Sequence, residues 1–205
     1  MKLRKWEIAL FIALVVAVFC GATLENESTD LSNKMIRLHV VANSDSEEDQ
    51  SLKLKVRDSV LKEVDRITEG MTDRNSAEEA IKENLSSIVI AASNEIYSHG
   101  YTYGVTAQIK QEIFPTREYD TFSLPAGEYT SLRVVIGNGE GHNWWCVVFP
   151  PVCASAAIEM DSETLNLTDR EVALITESSP EYIVKFKAIE ILGSIKNFFE
   201  SCNQN

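Results

Sequence analysis

The apolar period of this chain moves from two residues to nearly four and back again, and this restricts the fold more than any other feature. From Met35 to Asn43 the pattern alternates: Ile36, Leu38 and Val40 fall on one side, Arg37 and His39 on the other. A period of two belongs to a strand half-buried on a sheet. From Glu47 to Ile67, Leu52, Val56, Val60, Val64 and Ile67 recur every three or four residues, the stripe of an amphipathic helix, and Gly70 ends it. Ser44 with Glu47 forms a capping box at its start, with Ser46 and Asp49 as a weaker second choice. Ser76 with Glu79 opens a second helix running to Ser98. Its inward residues are Ile81, Leu85, Ile88, Ala92 and Ile96, and Gly100 lies just past its end.

The period then returns to two. Val105, Ala107 and Ile109 predict a strand, residues 115–128 a loop carrying Pro115, Pro125 and Gly127, and Leu132, Val134 and Ile136 a further strand. Asn138-Gly139 signals a hairpin turn. Trp144 to Phe149 is apolar on both sides, as in a central, doubly covered strand. Residues 154–180 are weakly patterned, with Val172 to Thr176 a candidate strand. A last helix is expected from about Pro180 to Cys202. Strand, two helices, several strands and a helix predict one α+β domain over residues 35–205, its helices packed on a mixed or antiparallel sheet.

Residues 1–22 stand apart. Lys2, Arg4 and Lys5 precede an uncharged stretch from Ile8 to Cys20. As a helix that stretch spans about 20 Å, short of a hydrocarbon core of about 30 Å. A basic start, a short apolar middle and small residues at Cys20 and Ala22 describe a signal peptide cleaved after Ala22. Extension to Leu24 would instead make an N-terminal membrane anchor. Either reading places the remainder of the chain outside the cytoplasmic membrane, with residues 23–34 as a polar linker. The net charge of −12 argues against nucleic acid as a partner.

The chemistry-bearing residues do not assemble into a catalytic set. Gly137, Gly139 and Gly141 resemble a phosphate loop, but the helix that would hold the phosphate is replaced by the strand-like Asn143 to Phe149. His39, His99 and His142 lack metal-ligand spacing, so no metal or other cofactor is expected. His39 reads as an outward strand residue. Cys146 with His142 or His39 imitates a thiol–imidazole pair, but it lies in an apolar strand rather than at a helix N-terminus. Cys146 and Cys153 flank Pro150-Pro151 and are either bridged or two buried thiols. Asp45 and Asp49 form an acidic pair that helix capping explains. Two features suit a protein partner. One is the Asn43-Ser44-Asp45 corner; the other combines Gly127-Glu128-Tyr129 with Asn143-Trp144-Trp145, where aromatic residues favour binding hot spots. Of the two tryptophans, one is expected in the core and one on the surface.

Several of these stretches together resemble the stage II sporulation protein R family. They are Ile36-Arg37-Leu38, Ala42 to Ser46, Asp49-Gln50 and Leu52 to Asp58; then Phe114-Pro115-Thr116, Leu124 to Tyr129 and Leu132-Arg133; then Asn143 to Cys153, and Val184 to Lys187. The resemblance implies a protein made in the forespore of endospore-forming bacteria and exported into the space between the forespore and mother-cell membranes. There it would stimulate a mother-cell membrane aspartic protease that removes the pro-sequence of sigma-E. A ligand of this kind is not an enzyme. Two competing expectations are an exported cell-envelope hydrolase using Cys146 or the acidic pair, and an anchor bridging two membranes.

Overall fold

We describe Arg4, residues 31–119 and residues 123–151 of a computed structural model. The expected elements at Val172–Thr176 and 180–202, the export segment apart from Arg4, and Cys153 lie outside these residues. Within them the chain forms strand β1 (Ile36–Val41), helices α1 (Glu47–Ile67), α2 (Arg74–Glu83) and α3 (Leu85–Ser98), and strand β2 (Val105–Phe114). A short ribbon, β3 (Arg117–Glu118) and β4 (Ser123–Leu124), leads to β5 (Gly127–Ile136) and β6 (Asn143–Phe149). Helices packed on a mixed four-stranded sheet make this an α+β domain, as the periodicity predicts.

The strand order β2-β5-β1-β6 departs from the expected hairpin. β5 and β6 are consecutive in sequence, yet β1 lies between them, parallel to β5 and antiparallel to β6. The Asn138-Gly139 turn therefore carries the chain across the end of β1 instead of folding β6 onto β5. Among the described residues β6 is marginal, and β1 is the strand covered on both faces, with all six residues buried. An outward, half-exposed His39 is likewise not observed: His39 is 7% exposed and Arg37 fully buried. Alternation in a single strand shows that two faces differ. It does not show whether the second face meets water.

The face bearing Ile36, Leu38, Val40, Leu132, Val134, Ile136 and Val148 packs under the helices. Leu52, Val56, Val60 and Val64 of α1 and Ile88, Ala92 and Ile96 of α3 meet it, the helix stripes read from sequence. Each of the Leu, Val and Ile side chains contributes about 1.5–3 kcal/mol by leaving water. Leu31 and Ser32, inside the stretch expected as linker, are buried at 0% and 8% exposure.

The helix starts differ from the expected ones. Ser46, not Ser44, caps α1: its Oγ accepts from the Asp49 N–H at 3.2 Å. Asp73, not Ser76, caps α2, accepting from the Ser76 N–H at 2.8 Å. The expected single second helix is two, broken at Asn84. Its side-chain amide donates to the Ala80 carbonyl at 2.8 Å, and its own carbonyl accepts from the Ser87 and Ile88 N–H groups. A short amide side chain that competes for backbone partners ends one helix and starts the next.

Candidate functional site

Because β5 and β6 flank β1, the glycine-rich turn between them must pass over the corner where β1 becomes α1. The two segments interlock there. The Asn43 Oδ1 accepts from the Asn138 N–H at 3.0 Å, and the Glu140 and Gly141 N–H groups donate to the Asn43 and Ala42 carbonyls. A Cβ on Gly141 would stand 2.2 Å from the Ser44 carbonyl oxygen, so this close approach needs glycine. Asn43 and Ser44 also turn inward to Asp49, donating to its Oδ2 at 2.8 and 2.6 Å. Burial pushes the Asp49 carboxyl up, but hydrogen bonds from Ser44, Asn43 and Tyr103 outweigh it and hold the group below its ordinary value. Asp45 is exposed; its Oδ1 accepts from the His142 N–H at 2.6 Å, and the His142 ring pairs with the same carboxylate. Lys53 closes the corner from α1, donating to the His142 carbonyl at 2.9 Å. The glycine triplet thus serves backbone approach, and a strand, not a helix, comes after it.

The sheet face away from the helices carries a second cluster, polar at its centre and aromatic at its walls. Arg37 and His39 of β1 project there with Tyr129, Ser131 and Arg133 of β5, Lys110, Glu112 and Phe114 of β2, and Trp145 of β6. The Glu112 carboxylate is the hub. It meets Arg133 Nη1 at 2.9 Å, Lys110 Nζ at 3.0 Å and His39 Nδ1 at 3.1 Å. Burial alone would raise its pKa, but Lys110, Ser131 and His39 outweigh burial and hold it down at about 2. The His39 Nδ1 faces only carboxylate oxygens and so carries a proton. Its Nε2 lies 2.9 Å from the Asn143 side-chain oxygen.

Arg37 is fully buried beside this hub. Its guanidinium carbon sits 4.2 Å from the Phe114 ring centre and 5.0 Å from that of Tyr129. Nη2 donates to the Tyr119 hydroxyl at 2.9 Å, and that hydroxyl donates to the Trp145 carbonyl at 3.1 Å. Above, Arg117 lies over the Trp145 ring at 4.1 Å. Arg117 opens β3 of the ribbon and Tyr119 directly follows that strand, so the segment read as a loop lays a tyrosine and an arginine across the cluster.

The residues named from sequence divide between these places. Asn43, Ser44 and Asp45 form the interlocked corner, and Asn143 lies beside it, paired with Val41. Gly127, exposed Glu128 and Tyr129 begin β5 at the other end of the sheet, about 25 Å away at 3.3 Å per residue. Tyr129 is buried; its hydroxyl donates to the Pro125 carbonyl at 2.9 Å, and burial pushes its pKa up to about 12. The two tryptophans are both half-buried, one on each face: Trp144 packs on the helix side under Arg57, Trp145 on the cluster side beside His39. Cys146 is disulfide-bonded, to a partner outside the described residues. Among the described residues no three His, Cys, Asp or Glu side chains converge to hold a metal. Sequence reading passed over Arg37, Glu112 and Tyr119. The available signal was the shared alternation of Arg37, His39, Lys110, Glu112 and Phe114, which becomes meaningful only when the strands are placed side by side.

The comparisons with known proteins match this same body. The family model described as stage II sporulation protein R covers residues 32–159. Stage II sporulation protein R of Bacillus subtilis (strain 168) is 37% identical over 129 residues, which are 63% of this chain and 58% of that relative. The chain thus aligns with somewhat over half the length of that relative. No solved structure matches. The matched span takes in every helix and strand described above, together with the interlocked corner and the cationic cluster, and the chain belongs to the stage II sporulation protein R family.

Proposed function

We propose that this chain is an exported signalling ligand of sporulation. It passes from the forespore into the intermembrane space and activates a mother-cell membrane aspartic protease that processes pro-sigma-E. The observation that carries the reading is the family match over residues 32–159, which spans the whole described body rather than one motif. The basic and apolar N-terminus supports export, and the family's name supports sporulation. A disulfide-bonded Cys146 is no thiolate, which favours a ligand over a thiol hydrolase. Activation by a ligand requires that it bind the active form of the protease more tightly than the inactive form.

The contact surface proposed for the protease joins the accessible members of the predicted segments: Asp45 and Asn143 at the corner, Trp145 beside them, and Glu128 at the far end of β5. Co-expression of the full chain with the protease and pro-sigma-E in non-sporulating cells tests the function. Processing that depends on this chain is the expected result; its absence, with export and folding verified, sinks the reading. Asp45→Lys, Glu128→Lys and Trp145→Ala then test the surface, with loss of processing expected in a protein that is still exported and folded.

A further inference from the structure

Arg37 presents a problem that the rest of the fold leaves unsolved. Its guanidinium is fully buried, and among the described residues it enters no ion pair, the acid of the same sheet face being paired elsewhere. Its Nη1 has no hydrogen-bond partner. The nearby acid, Glu112, is already shared by His39, Lys110 and Arg133. Buried charges are normally paired, because removing an ion from water is costly and a partner must offset it. Phe114 and Tyr129 compensate part of this through their ring faces. Two neutral oxygens compensate a little more: the Tyr119 hydroxyl, accepting from Nη2 at 2.9 Å, and the Cys146 carbonyl, accepting from Nε at 3.5 Å. The guanidinium fork therefore keeps an unfilled edge.

We propose that Arg37 is the receptor for a carboxylate group, whose place Tyr119 fills while the ligand is absent. A carboxylate forms two parallel charge-assisted bonds with a guanidinium, each roughly twice as strong as a neutral one. It therefore outcompetes the single Tyr119 bond. The surroundings suit an anion: Arg117 lies at the rim over Trp145, and Lys110 and Arg133 flank the hub, a concentration of positive charge in a chain of net charge −12. Phe114 and Tyr129, set edge to face at 78°, each turn a ring toward the guanidinium and hold its plane in place. Entry requires the Tyr119 hydroxyl to leave both Arg37 and the Trp145 carbonyl, so binding loosens the ribbon from β6. The carboxylate comes either from an acidic side chain of a polypeptide or from a free small acid.

The test is titration of the full-length chain in a non-ionic detergent, monitored through the Arg37 guanidinium proton and nitrogen resonances. The probes are acetate and a blocked peptide with a single glutamate, with chloride at matched ionic strength as the control. Both the unmodified protein and Tyr119→Phe are titrated. We expect a saturable Arg37 shift that chloride does not reproduce, and at least about tenfold tighter binding in Tyr119→Phe, where the competing hydroxyl is gone. A response to acetate identifies a small carboxylate as sufficient; a response to the peptide alone identifies a polypeptide as the source. No saturable shift with either probe, or an equal shift with chloride, overturns the site. Weaker binding in Tyr119→Phe overturns the placeholder role, since it makes Tyr119 part of the receptor. If the variant fails to fold, the unmodified protein decides the site alone.

Discussion

Replacing Glu112 with Gln removes one negative charge and almost nothing of the side chain's shape. The carboxyl, ordinarily at 4.5, is held at about 2, so its surroundings favour the ionised form by about 3 kcal/mol, at about 1.4 kcal/mol per tenfold. Lys110 and Arg133 are 37% and 29% exposed, and water screens part of their attraction. The expected loss is therefore on the order of 2 kcal/mol at pH 7. The sign is set by the depressed pKa. The contribution is complete above 4.5 and is lost as pH falls through the folded value of about 2. The unmodified protein should thus lose its advantage over Glu112→Gln across that window, while other carboxylates cancel in the comparison. Urea unfolding of both proteins, monitored by tryptophan fluorescence at a series of pH values, measures the difference. A gap below about 0.5 kcal/mol at pH 7, the range of an ordinary surface change, would refute the hub. So would a gap that persists undiminished at the acid end.

Four further substitutions probe the frame around the site. Ser46→Ala should cost about 1 kcal/mol in urea unfolding by removing the α1 cap, whereas an unchanged midpoint would return the cap to Ser44. Gly141→Ala should cost about 2–3 kcal/mol because its Cβ meets the Ser44 backbone, while Gly70→Ala, with open space but a φ of +75°, should cost only about 1 kcal/mol. Equal thermal shifts for the two would contradict the interlock. Leu38→Ala, beneath the helices on the central strand, should cost about 2–5 kcal/mol by denaturant titration.

Much of the frame was legible in the residues. The stripes at Leu52 to Val64 and Ile81 to Ile96 are set by the helical repeat, which each segment carries within itself. The same holds for the alternation in β1, β2 and β5. The caps were legible only to within a few residues, because Ser44 and Ser46 offer the same chemistry and the fold decides which is free: Ser44 is drawn away to Asp49. The candidate corner was also visible, but not its contacts with the glycine turn, which join residues some ninety-five positions apart.

The sequence by itself determined an α+β body, its amphipathic helices and its family, since periodicity and motif are local properties of the chain. Tertiary structure alone decided that β1 lies between β5 and β6. Strand pairing depends on which distant edges offer matching hydrogen bonds and faces, and no single strand encodes its neighbour. That one choice makes β1 a strand buried on both sides. It turns Arg37 and His39 from polar residues on a surface into a buried cation and a carboxylate-bound imidazole at the centre of the candidate site.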